Sequence, residues 1–168
     1  MKRIVACLAA LALAFPLFTA ARAEVPGVTT QADSYVVMEV ETGRVLAEKN
    51  ADQQKAPASI TKILTVGLTL EQGGKPEDRV VMSRDSVYSI PANTTHIALE
   101  EEENVSVDDL LHATMLLSAN DAANGLAQYT GGDLATFVEL MNQKVQELGL
   151  KNSHFANPHG LDDPNHYT

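Results

Sequence analysis

Hydrophobic and polar positions change period several times along this chain. Tyr35-Val36-Val37-Met38-Glu39-Val40 is a β-rich run, Glu41-Thr42-Gly43 supplies a turn, and Arg44-Val45-Leu46-Ala47-Glu48 resumes with apolar alternation. Together they predict a β-hairpin. Residues 50–57 are polar and end in Pro57, as suits a loop leading into a helix. From Ser59 to Leu70 the apolar Ile60, Ile63, Leu64 and Leu68 follow helical spacing, and Gly73-Gly74 ends the helix. Arg79 to Ser83 reads as a short strand. Residues 84–104 read as irregular, with Pro91 and an acidic run, Glu100 to Glu103, of the kind a solvated face carries. Ser106-Val107-Asp108-Asp109 opens the next helix as a cap with acids in its first turn. Leu110 to Leu117 is so apolar that this helix is expected to be buried. A further short helix is expected over Asp121–Tyr129, closed by Gly131-Gly132. After Asp133, the residues Leu134, Phe137, Val138, Met141, Val145 and Leu148 recur on one helical face, with Gly149 at the C-cap. Phe137 and Met141 on that stripe are core residues rather than a cofactor site. One hairpin and four helices leave an unfinished architecture, because a lone two-stranded hairpin is marginal in water.

The first residues change the picture of where the protein works. Met1-Lys2-Arg3 is a basic start, Ile4 to Phe18 is an apolar run, and Ala21-Arg22-Ala23 is a small-x-small exit. This is the pattern of a signal peptide over residues 1–23, leaving 24–168 as the mature chain. The run of about 15 residues is shorter than the roughly 20 that a spanning helix needs. The single Cys, Cys7, lies inside it. The mature chain therefore has neither a disulfide framework nor a cysteine-based zinc site. The formal net charge is −10 over 168 residues, and without Lys2, Arg3 and Arg22 nine basic side chains face 22 acidic ones. Such a balance lacks the basic footprint of a nucleic-acid binder. The absence of Trp and an aromatic content of 5% argue against a stacking platform. One exported, acidic domain is expected.

Candidate chemistry centres on Ala58-Ser59-Ile60-Thr61-Lys62. Ser59 and Lys62 are three apart at a helix start, so both lie on one face about one turn apart. A serine hydroxyl is a weak nucleophile until a base removes its proton. A lysine serves as that base only when burial or a neighbouring cation lowers its pKa. Ser118-Ala119-Asn120, between two helices, can aim a hydroxyl and an amide into a cleft. Either motif alone is better explained by ordinary helix capping.

The two together, in this order and approximate spacing, resemble the serine penicillin-recognising enzymes, and within them the D-alanyl-D-alanine carboxypeptidases (low-molecular-mass penicillin-binding proteins, peptidase family S11). The resemblance extends over Pro57 to Lys62, Ser118 to Ala123, Phe137 to Asn142, Phe155-Ala156-Asn157-Pro158-His159-Gly160-Leu161 and the hairpin phrase Glu41 to Leu46. It covers about residues 32–168. It implies an α/β fold of the α+β type: a serine β-lactamase/transpeptidase-like domain with an antiparallel sheet covered by helices beside a helical subdomain. It implies Ser59 as the acyl-ester nucleophile, Lys62 as the proton acceptor, Ser118 as a proton relay and Asn120 as a hydrogen-bond partner of substrate or of Lys62. The Ser59 N–H would supply half of the oxyanion hole. The implied partners are peptidoglycan stem peptides ending in D-Ala-D-Ala and β-lactam antibiotics, on the extracytoplasmic side of the cell envelope. No cofactor or metal is implied. Relatives often continue into a β-rich domain and an amphipathic anchor, so membrane association of the full-length protein is compatible with the resemblance.

One departure stands out. The family's third motif, Lys-Thr-Gly or Lys-Ser-Gly, does not occur between Asn120 and Thr168. The expectation is an N-terminal fragment of a longer protein, inert or nearly so by itself. Two other readings compete: an inactive module that binds cell-wall peptides, and a β-lactamase-like hydrolase. The second needs a water-activating Glu, but residues 152–159 hold no acid. Endopeptidase activity on cross-links is open within the family. His154, His159 and His166 share no helical face that would suit a metal, and His96 and His112 read as ordinary histidines.

Overall fold

The structure, a computed structural model, describes residues 30–168. The signal peptide expected over 1–23 lies outside the described residues. The chain divides into two compact units between Gln53 and Gln54.

In the first unit, β1 (Tyr35–Met38) pairs antiparallel with β2 (Val45–Lys49), with Tyr35 opposite Lys49 and Val37 opposite Ala47. This is the expected hairpin. Its turn closes through Gly43, at φ +68°, whose N–H donates to the Glu39 carbonyl at 2.9 Å. The Glu39 carboxylate accepts the Thr42 hydroxyl and the N–H groups of Glu41 and Thr42. These bonds hold it below the usual carboxylate range.

The second unit runs through a 3-10 turn (Ala58–Ile60), α1 (Thr61–Glu71), β3 (Arg79–Val81), α2 (Arg84–Tyr88), β4 (Asn104–Ser106), α3 (Val107–Leu116), α4 (Asn120–Gly131) and α5 (Leu134–Glu147). α4 is its hub, packing against α1, α3 and α5. Asn120 through Ala127 are all buried. Small residues let the neighbours close in: a Cβ at Gly125 would lie 3.0 Å from the Met82 sulfur and 3.1 Å from Leu110 methyls. One side of α4 joins a core of Val80, Met82, Val105, Leu110 and Leu126. The other meets Leu68, Phe137, Met141, Val145 and Phe155. The stripe read from α5 is thus core at Phe137, Met141 and Val145, with Leu134 packed against it, while Val138 is only half-buried and Leu148 is exposed. Gly149 has the expected positive φ, +70°, and Leu150 N–H closes the helix end on the Val145 carbonyl at 3.0 Å. Among the described residues no helix is long and apolar enough to cross a membrane.

Three expectations are corrected. Residues 84–104 are not wholly irregular: they hold the one-turn helix α2, capped by Ser83 accepting from Ser86 N–H at 3.2 Å, and they lead into β4, which pairs antiparallel with β3. Elements of three to five residues are too short to impose a period on the sequence. The apolar run 110–117 is only half buried. Leu110 and Ala113 face the core, but Met115, Leu116 and Leu117 are 50%, 75% and 60% exposed. The last turn of α3 carries the chain away from the core toward Ser118, which adopts φ +57°.

The third correction concerns α1. The helix expected from Ser59 begins at Thr61 after a 3-10 turn, and the apolar Ile60 and Ile63 are 69% and 62% exposed, whereas Thr61, Lys62, Thr65 and Thr69 are buried with Leu68. The helix turns a polar face inward because a polar partner waits there. The Thr65 hydroxyl donates to the Pro158 carbonyl at 2.6 Å, and Thr61 Oγ1 bonds His166 Nε2 at 2.7 Å. The C-terminal segment doubles back to offer these groups, with Lys55 and Thr168 exchanging backbone hydrogen bonds at 2.9 and 3.0 Å. Buried hydroxyls are tolerated when bonded in this way. The apolar residues Ile60, Ile63 and Leu64 instead line an open groove of about 370 Å³ with Pro57, Leu148 and Leu150.

Candidate active site

Ser59 lies in the 3-10 turn that feeds α1, and Lys62 lies in the first turn of α1. Ser118 lies in the link between α3 and α4, and Asn120 is the first residue of α4. Ser118 Oγ is 2.9 Å from Ser59 Oγ, and Lys62 Nζ is 3.2 Å from the same oxygen. Three of the four residues singled out from sequence therefore meet at one exposed hydroxyl, across 59 residues of chain. Asn120 is buried two residues further on, where its backbone N–H donates to the Thr95 carbonyl at 2.9 Å. The Asn120 side chain is not among the hydrogen-bond partners of Lys62.

Two of the non-glycine residues with positive φ stand at this site: Ala58 at +48°, just before Ser59, and Ser118 at +57°. Left-handed backbone at non-glycine residues costs on the order of 1–3 kcal/mol and persists where surrounding contacts enforce it. Here it turns both serine side chains to a common point.

Lys62 is 2% exposed, and its second hydrogen bond goes to the His159 carbonyl at 2.7 Å. Burial pushes its pKa down to about 8. At neutral pH roughly a tenth of the lysine is then uncharged, enough to serve as a base. While charged, Lys62 donates to both acceptors. On losing a proton it keeps a donor for the His159 carbonyl and turns a lone pair to Ser59, so the Ser59–Lys62 hydrogen bond reverses direction. That reversed bond is the arrangement from which a hydroxyl can lose its proton as it attacks.

Sequence reasoning missed the turn that holds Lys62 from behind. Phe155 to Leu161 enters the sequence reading only as a stretch of the family resemblance with no role attached, yet its Pro158 and His159 carbonyls accept from Thr65 and Lys62 on the buried face of α1. The missing signal was the threonine spacing, Thr61, Thr65 and Thr69, which marks a helix face that needs acceptors. Of the other histidines, His96 and His112 are on the surface. His159 and His166 are buried.

Burial, with the nearby Lys62 charge and His166, pushes the His159 pKa down to about 4, and burial also lowers that of His166. The unfolded chain, with histidine near 6.5, binds protons between pH 6.5 and 4 that the folded chain refuses. Stability is therefore full above about pH 6.5 and is lost as the pH falls toward 4. The His159 contribution is about 3 kcal/mol at its limit. Urea unfolding midpoints at pH 7.5 and 4.5 should differ accordingly, and a His159→Gln variant should lose part of that difference. Equal acid sensitivity in the variant would show that the effect lies elsewhere.

An exposed serine hydroxyl, a buried lysine of lowered pKa and a second serine hydroxyl meet here on a mixed α/β scaffold, an arrangement that suits serine acyl transfer. Comparison with known proteins narrows the class. The family model for D-alanyl-D-alanine carboxypeptidases of the S11 peptidases matches residues 19–168. The D-alanyl-D-alanine carboxypeptidase DacA of Haemophilus influenzae is 40% identical over 148 residues, covering 85% of this chain and 37% of that protein. DacF of Bacillus subtilis is 39% identical over 141 residues, covering 82% of this chain and 36% of its own. Among solved structures, penicillin-binding protein 5 of Haemophilus influenzae superposes with a TM-score of 0.76 at 38% identity, covering 83% of this chain and 42% of that one. The chain belongs to the D-alanyl-D-alanine carboxypeptidase family, as its motifs led one to expect. It spans well under half the length of these relatives.

Proposed function

We propose that this chain carries the nucleophile, base and proton relay of a serine-type D-alanyl-D-alanine carboxypeptidase. The convergence of Ser118 Oγ and Lys62 Nζ on Ser59 Oγ, at 2.9 and 3.2 Å, is the observation that carries the reading. Ser59 Oγ attacks the carbonyl carbon between the two terminal D-alanines of a peptidoglycan stem peptide while Lys62 accepts its proton. The Ser59 N–H donates to the oxygen as it becomes negative. The proton returns through the Ser118 hydroxyl to the nitrogen of the terminal D-alanine, the C–N bond breaks, and free D-alanine leaves. Water then hydrolyses the Ser59 ester, releasing the shortened peptide and restoring the hydroxyl. Asn120 orients the substrate. A β-lactam ring offers the same kind of carbonyl, so it acylates Ser59 by the same steps.

Residues 24–168 in this reading are part of the catalytic domain, following a signal peptide over 1–23. Export to the extracytoplasmic side, where peptidoglycan lies, is supported by the basic-apolar-small order of the first 23 residues. Residues 24–168 contain no Lys-Thr-Gly motif, so the activity is proposed for the protein expressed from its complete reading frame. That protein should release D-alanine from an acylated Lys-D-Ala-D-Ala tripeptide, and the Ser59→Ala variant should release none above background. Equal release by the variant would remove Ser59 from the mechanism.

A further inference from the structure

The catalytic lysine is held by a backbone carbonyl, and that carbonyl belongs to a turn with its own internal brace. Asn157 Oδ1 accepts the N–H of Gly160 at 2.7 Å and that of His159 at 3.3 Å, and its Nδ2 donates to the Leu161 carbonyl at 2.9 Å. A side-chain amide bonded to the backbone two and three residues ahead fixes a tight turn independently of the rest of the fold. The two residues between Asn157 and Gly160 are the two whose carbonyls meet α1: Pro158 receives Thr65 Oγ1 at 2.6 Å, and His159 receives Lys62 Nζ at 2.7 Å.

The same turn also touches the nucleophile's side of the site. Gly160 sits at φ +88°, and a Cβ there would lie 1.9 Å from the Ala58 carbonyl oxygen and 3.0 Å from Thr61 Oγ1. The turn is therefore packed directly on the strained residue that precedes Ser59, with space for glycine alone. One four-residue unit, Asn157 to Gly160, bears on both ends of the Ser59–Lys62 pair.

We infer that Asn157 is a positioning residue for the acylation step: its side chain sets the turn that keeps Lys62 Nζ against Ser59 and shut away from water. This rests on the serine-acylation reading above. Without the brace, the His159 carbonyl drifts, water reaches Lys62, and the burial that lowers its pKa is relieved. The lysine pKa then climbs from about 8 toward its ordinary value. Each unit of that climb costs tenfold in the uncharged base available at neutral pH. The titratable groups at the turn are His159 and His166, with Asp163 and His154 acting on the latter. His159 and His166 have lowered pKa values and stay neutral above pH 7, so they do not obscure the lysine.

The test compares wild type, Asn157→Ala and Asn157→Ser, each expressed from the complete reading frame. Serine keeps a shorter acceptor at the same place. Two readouts are taken across pH 6–10: the second-order acylation rate with a fluorescent penicillin, and the lysine ¹³Cε shift of Lys62 by NMR, assigned with a Lys62→Arg sample. The expected result for Asn157→Ala is a Lys62 titration moved up by at least one unit. Its acylation rate should be down about tenfold or more at pH 7 but close to wild type at the alkaline plateau, and Asn157→Ser should lie in between. A purely structural role would lower the rate at every pH, or lower the unfolding temperature, without moving either titration, and that result would overturn the inference. The NMR titration needs no turnover. Failure of wild type to acylate would therefore count against the serine mechanism while the Lys62 shift still reports on Asn157.

Discussion

Exchanging Lys62 for methionine is expected to slow β-lactam acylation by on the order of 10²–10⁴-fold. Methionine keeps an unbranched apolar stem in the buried slot under Ser59 and removes only the amine. What then stands next to Ser59 Oγ is the Ser118 hydroxyl at 2.9 Å, which can pass a proton along but has no tendency to keep one at neutral pH. His159 is no substitute, because its Nδ1 is engaged by the Leu161 N–H at 3.2 Å. In the wild type, the acylation rate should rise with pH through a limb near the Lys62 value of about 8, since the uncharged amine is the active form. The methionine variant should show a low rate without that limb. Stopped-flow acylation of both proteins reads the difference directly. A variant within threefold of wild type, with the limb intact, would mean that the base lies elsewhere.

The second large effect concerns the support under Ser118 and Asn120. Asp121 is 2% exposed, and its carboxylate accepts the N–H groups of Ile97 at 3.1 and 3.2 Å, Leu99 at 3.0 Å and Ala122 at 2.9 Å. It sits in the first turn of α4, where the helix dipole also favours a negative charge. The strand of loop that it gathers carries Thr95, whose carbonyl receives the Asn120 N–H. Asp121→Ala leaves these buried donors without an acceptor and opens a gap in the loop, at a cost of about 3–5 kcal/mol. Urea denaturation should show a loss of that size. A loss below about 1 kcal/mol would mean that water replaces the carboxylate freely and that the loop is not held from α4.

These residues show what the sequence discloses and what it hides. Ser59, Lys62 and Ser118 were legible because their motifs fix residue type and spacing, and their meeting in space follows from helix geometry plus one strained link at Ser118. α4 and α5 were legible because long helices repeat their apolar face often enough to be counted. The inner face of α1 was not, because period alone favoured Ile60 and Ile63, and the partners of Thr61 and Thr65 lie 105 and 93 residues away in the chain. Asp121 was visible only as the start of an expected helix, since nothing local announces that a carboxylate will collect N–H groups from a loop more than twenty residues upstream. β4 and α2 were hidden for a plainer reason: Asn104–Ser106 holds one apolar residue, Val105, and Arg84–Tyr88 is a single helical turn, too short to show a repeat.

The central claim is that Ser59 is the atom-bearing nucleophile of an acyl-enzyme. Its most direct test is peptide mapping by mass spectrometry of the protein expressed from the complete reading frame, after brief exposure to benzylpenicillin. The account predicts a single penicilloyl adduct on the peptide containing Ser59, absent from the Ser59→Ala variant. An adduct on any other residue, or one of equal yield in the variant, would contradict it.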